Sequence, residues 1–329
     1  MGWYSAVGRP AFFALPPEAA HRVANALLGL PIGWRRMGGV PDDASLVTTL
    51  AGIELRNPIG LAAGFDKSCA HLDHLGRLGF GYVVGGTITR APRIGNPKPR
   101  IVRYPERGSM VNAMGLPNPG ADAAARHLSR RPRVAPRLAS IADEATADAV
   151  ATFERLAPLA DGVELNASCP NVSWGRDRDN EGHLADLLDA FGARRDTPVF
   201  VKLPPFAGDV EREVVLALAR IAQEHGAAGL TCSNTRPSEE PRLSVGRGGV
   251  SGRDLAGATP GIVTAVREAT GGALPVNACG GIGTPDDVRA CLDAGAATVQ
   301  IYTSLVFEGP GLVGRLCRGL IAGPVRAGA

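Results

Sequence analysis

The chain has no two cysteines spaced to act together. Its six, Cys69, Cys169, Cys232, Cys279, Cys291 and Cys317, are scattered and form no CxxC pair, which excludes a structural zinc site of that kind and a disulfide framework. An excess of either charge is missing too. The 35 basic and 32 acidic residues leave a net charge of +3, too small to argue for a nucleic-acid partner. No run of 18 apolar residues occurs, so no membrane-spanning segment is expected, and no secretory signal is expected either. What is present is a soluble-protein composition, 45% hydrophobic and 20% charged, with ample material for a large core. A reducing, cytoplasmic setting follows as the expectation.

Short apolar runs recur along the chain, each followed by a helical pattern: IGLAAG (59–64), YVVGGT (82–87), RLASIA (137–142), GVELNA (162–167), VFVKL (199–203), AGLTCS (228–233), PVNAC (275–279) and ATVQI (297–301). Hydrophobicity without alternation suits strands covered on both faces, as in a parallel sheet. Helical stretches such as 209–225, 258–270 and 285–294 separate them. Eight units in about 250 residues is the count of a (β/α)8 TIM barrel, an α/β fold. A doubly wound sheet is the alternative, because strand order is not written in the sequence.

Residues 1–40 differ from the barrel assigned to 41–329. PPEAAHRVANALLGL begins with proline, tolerated at a helix start, and carries apolar residues at Ala20, Val23, Ala24, Leu27 and Leu28. Trp3, Tyr4, Phe12, Phe13 and Trp34 surround it, with Arg9, Arg22, Arg35 and Arg36 against a single acid, Glu18. This reads as a helical cap on the barrel or as an amphipathic extension lying on a membrane surface. Two further segments, 88–135 and 236–255, are too long for simple βα connections and read as loops over the strand ends.

Barrel active sites lie where the strands end. There the chain places Lys67, Thr87, Ser140, Asn166, Cys169, Asn171, Lys202, Ser233, Asn234, Thr235, Gly280, Gly281, Tyr302, Thr303 and Ser304. Any one of these is ordinary in a turn; at nearly every strand end they describe a polar pocket with two lysines, several amides and a thiol. ACGGIGTPDD and QIYTS end the last two strands, the usual barrel place for a phosphate held by backbone N–H groups. His71 and His74 in HLDH share a helical face but lack a third ligand nearby, so no metal is expected.

LAAGFDK (61–67), GGTITRAPRIGNPKPR (85–100), VNAMG (111–115), NASCPN (166–171), SNT (233–235), GGVSGR (248–253), GGI (280–282) and VQIYTSLVFEGP (299–310) resemble, in order, the motif series of dihydroorotate dehydrogenases. FFALPPEAAHRVANALL resembles the N-terminal extension of the quinone-linked, membrane-associated class 2 branch. The resemblance implies an FMN-containing (β/α)8 barrel that oxidises dihydroorotate to orotate in pyrimidine biosynthesis and passes electrons to a quinone. It implies a peripheral position on the inner face of the cell membrane. By position, Ala63, Gly64, Phe65, Asp66, Lys67, Thr87, Ser140, Asn166, Lys202, Ser233, Gly252, Gly280, Gly281, Tyr302 and Thr303 would touch FMN. Lys67, Asn112, Ala113, Met114, Gly115, Leu116, Asn166, Asn171, Asn234 and Thr235 would hold the substrate. Cys169 falls on the catalytic base.

These residue types suit that chemistry. Turning a ring C–C bond into C=C removes a proton from one carbon and a hydride from the other, and only the flavin can accept the hydride. A thiol with an ordinary pKa near ~8.5 is a better base than a hydroxyl. Lys202 would stabilise an anionic reduced flavin, and Lys67 would meet a carboxylate. Asparagine amides offer the donor and acceptor that an imide ring needs.

The pattern is a mosaic. The class 2 branch usually has serine as the base, whereas cysteine marks class 1. RLASIAD is also closer to class 1, and Ser140 stands where class 2 has a flavin-contacting asparagine. Ala113, Leu116 and Pro117 replace the arginine, phenylalanine and asparagine typical of class 2. The alternative is therefore a divergent paralogue that desaturates a related dihydropyrimidine or cyclic amide, or that uses a soluble acceptor.

Overall fold

The computed structural model describes residues 3–30, 34, 38–130, 133–168, 179–192 and 196–323. The first two strands, β1 (Thr48–Leu50) and β2 (Ile53–Leu55), pair antiparallel as a hairpin. Its two turn residues, Ala51 and Gly52, both have positive φ, as a tight hairpin turn of this hand requires. Leu50 and Leu55 pack with Tyr82, Val84, Leu138 and Phe200 and close the bottom of the fold.

The eight apolar runs all become strands of one closed parallel barrel. These are β3 (Ile59–Asp66), β4 (Tyr82–Ile88), β7 (Arg137–Ile141), β8 (Gly162–Asn166), β9 (Val199–Leu203), β10 (Gly229–Cys232), β13 (Val276–Cys279) and β14 (Thr298–Ile301). Each pairs with its neighbour in chain order, and β14 closes on β3. Strands β4, β7, β8, β9, β10 and β14 are buried at every position, because helices cover the outside while side chains fill the inside. That double burial is why the runs show no alternation. The helical patterns appear as Asp209–Glu224, Thr259–Ala269 and Pro285–Asp293. The last begins with a capping box between Thr284 and Asp287.

The two long connections are more than loops. Segment 88–135 contributes β5 (Ile101–Tyr104) and β6 (Ser109–Asn112), and segment 236–255 contributes β11 (Arg236–Glu239) and β12 (Arg247–Gly252). They join into one antiparallel sheet in the order β11-β12-β6-β5. Both segments leave from the C-terminal ends of barrel strands, so this second sheet stands at the rim where the polar residues gather.

At the N-terminus, α1 (Arg9–Ala14) and α2 (Pro17–Leu28) form a helical pair. The apolar positions expected on one stripe divide. Ala20 and Leu28 are buried, while Val23 and Leu27 of the same stripe are exposed, as are Trp3, Val7, Leu15 and Leu30. Burying a leucine such as Leu28 contributes ~2 kcal/mol, so α2 is attached to the barrel by part of its apolar stripe and leaves the rest of it uncovered. Among the described residues no helix is long and apolar enough to cross a membrane.

Candidate active site

The rim of the barrel opens into a cavity of about 2880 Å³ lined by β3, β8, β9, the second sheet and the inner faces of α1 and α2. That exceeds the ~300–1,000 Å³ of a typical small-molecule pocket, so there is room for more than one ligand.

A chain of side-chain hydrogen bonds runs around the rim. The Thr87 and Ser140 hydroxyls lie 3.0 Å apart. Asn166 Nδ2 donates to Thr87 Oγ1 at 3.2 Å. Ser168 Oγ donates to Asn166 Oδ1 at 2.9 Å, and Asn234 Nδ2 donates to Ser168 Oγ at 2.7 Å. Thr235 N then donates to Asn234 Oδ1 at 2.8 Å. Strands β4, β7, β8 and β10 are thereby linked through the residues at their ends. The amide planes of Asn166 and Asn234 are held in place instead of swinging freely, which is what a template for a flat polar ring needs.

Two lysines face this chain from different depths. Lys67, at the end of β3, is half-buried and donates to Gly64 O at 2.5 Å. Burial pulls its ammonium down to about 8, with Asp66 opposing that effect. Lys202, opposite Asn166 in the β8–β9 register, is 5% exposed, and its Nζ lies 3.6 Å from Glu164 Oε1. Burial alone would lower its pKa, but Cys279 and Glu164 outweigh that and raise it.

The predicted flavin segment Ala63 to Lys67 is present as a wall of the cavity. Phe65 packs edge-on against Tyr302, with ring centroids 5.3 Å apart, and against His21 of α2 at 4.9 Å. The Asp66 carboxylate accepts from Ser68 N, Ser68 Oγ and His71 N, so it shapes its own turn. Ser233, Gly280, Gly281, Tyr302 and Thr303 line the same cavity, and Thr303 Oγ1 donates to Ser251 Oγ at 2.9 Å. Gly281 has φ +75, and a Cβ there would lie 2.1 Å from Ala256 N, so only glycine fits. Gly252 (φ +95) sits where β12 passes Gly108 and Thr303.

Asn112, Ala113, Met114, Gly115 and Leu116 form the opposite wall. Asn112 Nδ2 donates to Gly249 O at 3.4 Å. Leu116 has φ +54, uncommon for a residue with a branched side chain. Asn118 fixes it there. Its Nδ2 donates to Leu116 O and to Thr89 Oγ1, both at 2.9 Å, while its Oδ1 accepts from Thr89 N and Gly120 N. Cys169 and Asn171 lie outside the described residues.

The family model for dihydroorotate dehydrogenase matches residues 45–323. The chain belongs to the dihydroorotate dehydrogenase family. It is 39% identical over 329 residues to a protein of Novosphingobium aromaticivorans named dihydroorotate dehydrogenase (quinone), covering 95% of this chain and 93% of that protein. It is 41% identical over 326 residues to a protein of the same name from Erythrobacter litoralis, with the same coverage of 95% and 93%. The crystal structure of DHODH in complex with ferulenol from Eimeria tenella superposes with a TM-score of 0.80 at 28% identity, covering 93% of this chain and 91% of that one.

Members of this family are oxidoreductases acting on a CH–CH bond, and a (β/α)8 barrel with a polar rim matches that assignment. Several residues of the site were not expected from the sequence. Ser168 bridges Asn166 and Asn234, Asn118 pins the 112–116 wall, His21 reaches Phe65 from α2, and Glu164 stands beneath Lys202. Ser168 and Asn118 lie inside or beside quoted motifs, so proximity in sequence was a usable signal. His21 lies in the quoted FFALPPEAAHRVANALL, and Glu164 is the one charged residue of the quoted run GVELNA.

Proposed function

We propose that the protein oxidises dihydroorotate to orotate, with FMN as its bound redox group and a quinone as electron acceptor. One observation carries the reading. The buried ammonium of Lys202, 3.6 Å from Glu164 Oε1, stands at the same rim as the fixed Asn166–Ser168–Asn234 amide chain.

The residues present fit a flavin mononucleotide. Lys202 has N–H donors left for a ligand in the cavity, and the bare backbone at Gly281 suits a phosphate held by N–H groups. Gly280, Gly281, Tyr302 and Thr303 would hold that phosphate. The segment from Ala63 to Lys67 with Thr87, Ser140, Asn166, Lys202, Ser233 and Gly252 would hold the rest. When bound, the flavin supplies the hydride acceptor that no side chain provides.

The chain's own groups do the remainder. Lys67 meets the substrate carboxylate. Asn112, the segment from Ala113 to Leu116, Asn166, Asn171, Asn234 and Thr235 orient the ring. Cys169, next in sequence to Ser168, takes the proton as its thiolate. Residues 1–40 act as a membrane-facing extension of the barrel formed by 41–329. The cavity continues beneath α1 and α2 and offers the quinone a path, and the exposed Trp3, Val7, Val23 and Leu27 would rest on the inner face of the cell membrane.

The test is direct. Purified protein should be yellow, release FMN on heating, and bleach anaerobically on addition of dihydroorotate. Folded protein without flavin, or flavin that dihydroorotate leaves oxidised, would overturn the reading.

A further inference from the structure

The interior of a (β/α)8 barrel is usually filled by branched apolar side chains. Here a polar chain crosses it. Tyr82 Oη and Thr298 Oγ1 are 2.9 Å apart, and Thr298 Oγ1 donates to Asn277 Oδ1 at 2.5 Å. Asn277 Nδ2 donates to Thr231 Oγ1 at 3.2 Å, and Thr231 Oγ1 donates to Glu164 Oε2 at 3.0 Å. Gln300 Nε2 donates to the same oxygen at 3.0 Å. Glu164 is 0% exposed, and an isolated carboxylate there would be costly.

The two oxygens of Glu164 are treated differently. Oε2 is fixed by two donors, whereas Oε1 receives no hydrogen bond among the described residues and faces Lys202 Nζ at 3.6 Å. At that distance Glu164 compensates the charge and leaves N–H groups of the ammonium for the cavity that Lys202 lines. Cys279, at the end of β13, is the other titratable group acting on Lys202. Burial pushes its thiol up, so it is neutral near pH 7 and Glu164 carries the opposing charge.

We propose that Glu164 is a positioning residue for Lys202, a fixed counter-charge that keeps the ammonium ionised at the flavin site in every redox state. The inference rests on the flavin reading above. Its consequence is a proton count. Reduction to a flavin monoanion beside a permanently charged lysine consumes two electrons and one proton, the proton going to the flavin. Without Glu164, a buried lysine facing the neutral oxidised ring gives up its charge. Reduction then consumes two electrons and two protons, the second going to Lys202 Nζ as the anion forms.

The experiment measures the flavin midpoint potential of the loaded protein against pH in wild type, Glu164→Gln and the double variant E164Q/K202M. Glutamine keeps the shape of the side chain and an oxygen for Thr231 and Gln300. Each proton per two electrons contributes about 30 mV per pH unit, a tenfold change per unit for a two-electron couple. The expected slopes are one-proton in wild type, two-proton in E164Q, and one-proton again in the double variant. A merely structural Glu164 would change flavin affinity or stability and leave the slope alone. If E164Q does not fold, Lys202→Met serves. Loss of the ammonium should protonate Glu164 and add an infrared carboxylic-acid C=O band that wild type lacks. A flavin-loaded wild type and E164Q with equal slopes, or K202M without the new band, overturns this proposal alone. Folded wild type without flavin overturns the functional reading instead.

Discussion

The Arg100 guanidinium donates twice to one oxygen of Glu18, from Nε at 3.0 Å and from Nη2 at 2.7 Å, and so fastens α2 to the start of β5. The same guanidinium donates to Ile94 O and Asn96 O, and Asn96 Nδ2 donates to Ala113 O at 3.0 Å. One continuous path therefore joins the N-terminal helices to the 112–116 wall of the rim cavity. Nearby, Arg103 donates to the carbonyls of Phe12, Phe13 and Leu15 at the end of α1.

Breaking this tie should separate the two half-reactions. Glu18→Ala leaves Arg100 without its ionic partner, a cost of about 1–3 kcal/mol for a partly buried charged group. Turnover with a quinone analogue should fall, while flavin bleaching by dihydroorotate and reoxidation by a soluble dye stay near wild type. Removal of residues 1–40 should abolish quinone turnover and weaken binding to anionic vesicles. Equal quinone rates before and after removal would make the extension a structural cap only.

Cys169 is tested by two substitutions. Cys169→Ala should retain FMN and lose about 10²–10⁴-fold in the rate of flavin reduction, the usual contribution of a general base. Cys169→Ser should retain part of the rate with its pH dependence moved upward, since a hydroxyl is the weaker acid. Near-normal reduction in the alanine variant would return Cys169 to a packing role.

Lys67 sets a limit at alkaline pH. Its ammonium is charged below about 8 and loses charge above it. Binding of an anionic substrate should be flat below that pH and weaken by up to tenfold per unit above it. Lys67→Met should bind weakly with no such break. The measurement is the dissociation constant for orotate across the range; a wild-type profile without a break removes Lys67 from carboxylate recognition.

His21 makes the helical pair acid-sensitive. Burial pulls its imidazole down to about 4, with Lys67 adding to the effect. Between that value and the ordinary value near ~6.5 the unfolded chain binds the extra proton, so stability is complete above the ordinary value and declines as pH falls toward the folded one. The limit is about 3 kcal/mol. His21→Phe should lose less Tm than wild type between about pH 7 and about pH 4.5. Parallel losses in the two proteins would mean that His21 is not held neutral.

Local pattern was enough for the barrel. A strand covered on both faces is mostly apolar without alternation, so IGLAAG, YVVGGT and VFVKL declare themselves without reference to any partner. The residues ending those runs, Lys67, Asn166, Lys202 and Asn234, were legible as a rim for the same reason. What lies opposite what was not legible. The joining of 88–135 with 236–255 into one sheet, the 3.6 Å approach of Lys202 to Glu164, the Asn166–Ser168–Asn234 chain and the Glu18–Arg100 tie all depend on strand order, register and the packing of α2. Periodicity tells which way a side chain points, because it follows from the geometry of one element. Its partner is decided only when elements far apart in the chain are brought side by side, and that took the closed barrel.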